Sequence, residues 1–271
     1  MILFALIANL SVPKLYLAAT IPGLLLCVMF VAMIVITCMI WPKLGGTRQH
    51  ATWAERLASI PDLLPPMAIF VLVVGAIYSG FATASESAAL GVLAAFGLGL
   101  LRRTFTWQNL GQAFESTMRT SGMIIFITLS AFFLNFVLSA IGLTPALVSF
   151  ITGLELSPMA TLLAIILFYI ILGCFMDTLA MLITTAPLVV PVIVALGFDP
   201  LWFGVILIIL CELGQITPPF GMNLFVVQSI RNKGNFMEVI MGVLPFCFVL
   251  LLLIALLILF PALALWLPQF A

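Results

Sequence analysis

Cys174-Phe-Met-Asp-Thr-Leu-Ala180 and Gln215-Ile-Thr-Pro-Pro-Phe-Gly-Met-Asn223 interrupt a stretch, Pro158 to Arg231, that is otherwise apolar enough to enter a membrane. Asp177 is the only charge between Ser157 and Phe198. At the centre of a bilayer helix a charge costs roughly 2.5–3.5 kcal/mol on insertion scales, so an intramembrane carboxylate points to function. Lipid cannot satisfy loose backbone groups, and non-helical chain at membrane depth survives only where protein or a wet cavity lines it. The two interruptions therefore predict a polar site near the midplane.

Composition fixes the class around them. The 271 residues are 65% hydrophobic and 7% charged, with a mean hydropathy of +1.38, which describes an all-α polytopic membrane protein in a lipid bilayer. Net charge is zero and there is one histidine, so nothing points to nucleic acid. Cys27, Cys38, Cys174, Cys211 and Cys247 stand singly in apolar runs, without a CxxC or a neighbouring histidine, and read as small core residues.

Met1 to Leu10 reads as half of a membrane helix rather than a signal peptide. Leu15–Pro42 is charge-free and long enough for one crossing. Further crossings are predicted over Leu63–Gly80, Ser87–Leu101 and Ser121–Leu143, with a break at Phe81–Glu86 and an amphipathic interfacial connector over Thr106–Ser116. Pro158–Met176 and Thr178–Leu196 are apolar limbs on either side of Asp177. Two readings are open: two full crossings with a tight turn, or a re-entrant hairpin, which Pro187 and Pro191 favour by shortening or kinking the second limb. Leu201–Ile216 and Pro218–Ile230 form one crossing broken at Thr217, and Val239–Leu267 is the last.

Seven of the nine basic residues fall in three short loops: Lys43, Arg48 and Arg56; Arg102 and Arg103; Arg231 and Lys233. All three loops are expected in the cytoplasm, and the C-terminus outside. His50 shares the first of them. A gapless internal repeat lays Met1–Trp41 over Leu224–Ala264, pairing Asn9 with Asn232 and Pro22 with Pro245. Loop charge makes the copies antiparallel, as in inverted-repeat transporters with discontinuous helices. The second copy is preceded by the hairpin and the Thr-Pro-Pro break, and the first by nothing. The expected fold is thus an inverted-repeat transporter with a re-entrant hairpin and a broken helix, N-terminally incomplete. Its divisions are 1–42, a remnant of the first repeat; 43–156, scaffold-type helices and connectors; 157–236, the hairpin and broken helix; and 237–271, the final helix.

Thr217-Pro218 has the form of an N-cap hydroxyl before a first-turn proline, so a half-helix is predicted to start there with its positive end facing the break, suited to a carboxylate or sulfonate. Pro219, Gly221 and Asn223 belong to the same turn, the glycine for close approach and the asparagine for its amide. The carbonyls of Gly214, Gln215 and Ile216 lack helical partners and suit a hard cation. Asp177 before Thr178 is placed to cap the second limb and to ligate Na+. Plainer readings stand beside these: Asp177 as a turn residue, Thr217-Pro-Pro as a kink, Glu212 as a structural group rather than a proton carrier, and Glu86 as a helix cap.

The motifs Ile77-Tyr-Ser-Gly-Phe-Ala-Thr-Ala-Ser-Glu-Ser-Ala-Ala89, Gly173-Cys-Phe-Met-Asp-Thr-Leu-Ala180, Glu212-Leu-Gly-Gln-Ile-Thr-Pro-Pro-Phe-Gly-Met-Asn-Leu-Phe225 and Phe260-Pro-Ala-Leu-Ala-Leu-Trp-Leu-Pro268 resemble the large membrane subunit of tripartite ATP-independent periplasmic (TRAP) transporters. Where that family has Thr-Pro-Thr-Glu, this chain has Thr83-Ala84-Ser85-Glu86. Its members also carry an earlier hairpin and helix break, so the chain resembles the later part of such a subunit. The resemblance implies a multi-pass bacterial inner-membrane permease that is not an enzyme. It would import organic acids on a Na+ gradient, with a small membrane subunit and a periplasmic substrate-binding protein as partners. It assigns Asp177, Thr178 and the Gly214 carbonyl to Na+, and Thr217, Pro218, Pro219, Gly221 and Asn223 to the substrate; Glu86 and Glu212 are further candidates. A transport-inactive fragment is the alternative. An intramembrane aspartyl hydrolase is a remote one, needing Asp199 or Glu212 as a second acid beside Asp177.

Overall fold

The computed structural model describes residues 1–45, 52–103, 105–153, 156–219, 221–231 and 234–270, and the described residues contain helices and no strand. Arg48, His50, Asn232 and Lys233, which figured in the loop and repeat assignments, lie outside them. In chain order the helices are α1 (Ile2–Ile7), α2 (Val12–Ile40), α3 (Trp53–Ala58), α4 (Ile60–Tyr78), α5 (Ala84–Leu101), α6 (Trp107–Ala140), α7 (Leu143–Gly153), α8 (Pro158–Gly173), α9 (Thr178–Ala195), α10 (Pro200–Ile216), α11 (Met222–Arg231), α12 (Phe236–Leu259) and α13 (Ala262–Leu265). Short 3-10 turns follow α2 at Pro42–Gly45 and α13 at Leu267–Phe270. Among the described residues α2, α5, α6, α9 and α12 are long and apolar enough to cross a membrane. The chain is a multi-pass all-α membrane protein.

It divides into two compact units, Met1–Ile36 with Ile124–Ala271, and Thr37–Met123. In the second unit α4 packs on α5, with Val73 against Gly91. Both α3 and α5 open with a reciprocal cap. Thr52 Oγ1 accepts from the Glu55 amide while Glu55 Oε2 accepts from the Thr52 amide, and Thr83 and Glu86 repeat the arrangement.

The larger unit is built around α10, whose buried face includes Trp202, Phe203, Ile206, Leu207, Leu210 and Leu213. A helix apolar on nearly every side is stable only if other helices surround it. Here α8, α9 and α12 do so, with α1 and α2 contributing Phe4 and Leu15 against Gly204. The indole of Trp202 donates to the Leu257 carbonyl at 2.9 Å, so its one polar atom is satisfied inside the core. Residues α8 and α10 contribute, 16 and 17 respectively, correspond to about 24–26 Å of helix. That is short of the ~30 Å hydrocarbon thickness. The prolines paired by the internal repeat, Pro22 and Pro245, both sit inside long helices, α2 and α12.

Four expectations are corrected. The amphipathic connector over Thr106–Ser116 is the first part of α6, one 34-residue helix. Between Ser116 and Ser121 no proline or cap removes a hydrogen bond, so the helix continues. The predicted crossing Ser121–Leu143 ends at Ala140, and a separate α7 follows, with Pro145 in its first turn. The last crossing stops at Leu259 rather than Leu267: Pro261 disfavours helical backbone at Phe260, which has φ −129° and ψ 74°. The half-helix expected to begin at Pro218 begins at Met222. Pro218 holds Thr217 in extended backbone, at φ −82° and ψ 127°, and neither Pro218 nor Pro219 has an N–H to give; the Pro218–Pro219 bond is cis.

Candidate functional site

The hairpin of α8 and α9 is closed by Cys174–Asp177. Asp177 is the N-cap of α9, its Oδ2 accepting from the Leu179 amide at 3.0 Å. Asp177 is exposed, and among the described residues only that carboxylate oxygen is engaged. Halfway down, Tyr169 and Thr185 hydroxyls lie 2.7 Å apart, and Thr185 also donates to the Met181 carbonyl. The first of these bonds ties the two limbs of the hairpin together.

The second break follows from imino acids. In an α-helix the carbonyls of Gly214 and Gln215 would accept from residues 218 and 219, but both are prolines without an N–H. Thr217 Oγ1 donates back to the Leu213 carbonyl at 2.6 Å, so it closes the end of α10 and is not the N-cap expected for α11. The chain then folds over itself. The Gly221 amide donates to the Thr217 carbonyl at 3.1 Å, and a Cβ on Gly221 would meet the Gln215 carbonyl at 2.7 Å. Only glycine lets the backbone approach those carbonyls so closely.

The two breaks are neighbours. Gly173, at the end of α8, meets Gly214, near the end of α10, backbone to backbone. Gln215 completes the junction: its Nε2 donates to Thr178 Oγ1 at 2.8 Å, and its Oε1 accepts from Asn223 Nδ2 at 3.2 Å. Asp177, Thr178, Gly214, Thr217, Pro218, Gly221 and Asn223 thus belong to one cluster of helix ends, together with Pro219. Thr178 and Glu212 also line one cavity of about 320 Å³ with Tyr16, Leu182 and Cys211. Glu86 is elsewhere, in the other unit, with its carboxylate accepting from both the amide and the hydroxyl of Thr83 at 2.8 Å. Asp199 caps α10 through the Leu201 amide at 2.7 Å.

The Gln215 side chain and the Gly173–Gly214 contact were not foreseen. The one available signal was position, since each glycine lies just ahead of a break. Among the described residues no group of three or more His, Cys, Asp or Glu could hold a metal. The donors in the cluster are carbonyl, hydroxyl and carboxylate oxygens, a set suited to a hard cation.

Residues 1–263 match the family described as "Tripartite ATP-independent periplasmic transporter, DctM component". The chain is 32% identical over 271 residues to the sialic acid TRAP transporter large permease protein SiaM of Vibrio cholerae, covering 99% of this chain and 62% of SiaM. It is 30% identical to the ectoine TRAP transporter large permease protein TeaC of Halomonas elongata, covering 100% of this chain and 63% of TeaC. Against the C4-dicarboxylate TRAP transporter large permease protein DctM of Pseudomonas aeruginosa it is 31% identical, over 99% of this chain and 62% of that protein. The chain therefore spans a little over three-fifths of the length of these relatives, which are permeases and not enzymes. Matched along nearly all of its length, this multi-pass inner-membrane chain belongs to the DctM family, the large permease component of TRAP transporters.

Proposed function

We propose that the chain acts in Na+-coupled import of a small organic acid, as large permease subunit beside a small membrane subunit and a periplasmic substrate-binding protein. The observation that carries this reading is the meeting of two helix breaks, one bearing Asp177 and Thr178, the other bearing carbonyls stripped of helical partners by Pro218 and Pro219. The oxygens of Asp177, Thr178 and Gly214 are of the hard type a Na+ ion takes, and an inward Na+ gradient would supply the driving force. The first turn of α11 contributes the positive end of a helix dipole beside Asn223, suited to a carboxylate. Thr217 contributes hydroxyl lone pairs, while Pro218, Pro219 and Gly221 shape the turn.

Sialic acid, C4-dicarboxylates and ectoine, after which these relatives are named, all carry a carboxylate, which supports an organic acid as substrate. The test is uptake of radiolabelled succinate, N-acetylneuraminate and ectoine by proteoliposomes containing the chain and both partner proteins. The expected result is accumulation of one of them under an inward Na+ gradient, abolished when choline replaces Na+. Uptake insensitive to that replacement refutes Na+ coupling; no uptake of any carboxylate with competent partners refutes the transport reading.

A further inference from the structure

Gln215 is joined by its side chain to the first turns of two helices that lie far apart in sequence. Thr178 is the first residue of α9 and Asn223 the second of α11, and both bond the same carboxamide. The group is two-ended: its N–H₂ reaches the hairpin and its carbonyl reaches α11, while its backbone belongs to the last turn of α10. No aliphatic residue could make either bond. Below it, the Gly173–Gly214 contact fixes α8 to α10 by van der Waals contact, and Gln215 adds a hydrogen bond from α10 to Thr178 at the tip itself.

We propose that Gln215 is a positioning residue, a clamp that holds the hairpin tip and the start of α11 in one fixed arrangement. The proposal rests on the functional reading above, because it makes Gln215 the connection between the oxygens assigned to Na+ and the helix end assigned to substrate. With the clamp closed, the two ends keep one relative position and occupancy of one favours the other. With it removed, each still binds its own ligand, but the favourable coupling is lost. Two neutral hydrogen bonds at the usual net strength correspond to a loss of about five- to 150-fold in that coupling.

Gln215→Met keeps the side-chain length and removes both bonds, whereas Gln215→Glu keeps the acceptor for Asn223 and lets the Thr178 hydroxyl donate instead. The experiment places spin labels at Phe175 and Ser229, one on the hairpin tip and one on α11, with the native cysteines replaced, in lipid nanodiscs containing NaCl. Pulsed dipolar spectroscopy should give a narrow distance distribution for the parent and for Gln215→Glu, and a broadened one for Gln215→Met at unchanged melting temperature. Thr178→Val should broaden it as Gln215→Met does, and the double variant should add nothing further. An unchanged distribution in Gln215→Met, or full additivity in the double variant, overturns the clamp. In proteoliposomes the Na+ dependence of the substrate KM should weaken by about fivefold or more in Gln215→Met, a change that loss of folded protein alone would not produce. Absence of Na+-driven uptake by the parent would refute the functional reading and leave the distance measurement to decide the clamp.

Discussion

Gly173 and Gly214 touch through their backbones: a Cβ on Gly214 would lie 2.8 Å from the Gly173 Cα, and one on Gly173 would lie 2.9 Å from the Gly214 Cα. Backbone atoms cannot swing aside as a side-chain tip can, so α8 and α10 must separate to admit even a methyl group. Gly214→Ala is expected to cost about 1–3 kcal/mol by overpacking and to displace the two breaks from each other. A lowered melting temperature in nanodiscs, with Na+-dependent uptake per folded molecule reduced, is the expected outcome; a variant as stable and as active as the parent would show that the contact is loose.

Asp177→Asn should retain insertion and the α9 cap, since asparagine also accepts from the Leu179 amide, and lose the charge. Uptake in proteoliposomes should then no longer respond to Na+. A preserved Na+ response would remove Asp177 from the ion site.

Glu86 makes the opposite prediction. Because its carboxylate is taken up by Thr83 in a reciprocal cap, Glu86→Ala should lower the melting temperature slightly and leave uptake per folded molecule unchanged. Loss of transport without loss of stability would assign Glu86 a role beyond capping.

Loop charge predicts that Ser59 faces the cytoplasm and Gln269 the outside. On a cysteine-free background, a membrane-impermeant maleimide applied to intact cells should modify Gln269→Cys and miss Ser59→Cys. The reverse pattern would invert the topology and with it the antiparallel sense of the Met1–Trp41 and Leu224–Ala264 copies.

The site was legible wherever chemistry interrupts hydrophobicity. Asp177 marked the hairpin tip because a charge has no other reason to stand alone among forty apolar or small residues, and the prolines at 218 and 219 marked the orphaned carbonyls because they lack N–H groups. What stayed hidden depends on contacts distant in sequence. Gln215 and Thr178 meet across 37 residues, and nothing local distinguishes that glutamine from a solvated one. Boundaries failed where rules between neighbours outweighed the pattern: the Pro218-Pro219 pair separated α11 from α10, Pro261 ended α12, and the absence of any breaker merged the connector into α6.

The Tyr169–Thr185 bond has a mechanical consequence. Each residue stands eight positions from Asp177, so the bond is a pivot set midway along the hairpin, and the arm beyond it is about 12 Å long. Tilting such an arm by about 10° carries the tip only about 2 Å. That travel is small beside the ~30 Å of a bilayer's hydrocarbon core. A longer displacement of the tip would carry both limbs together, and with them α10, which Gly173 of α8 touches at Gly214.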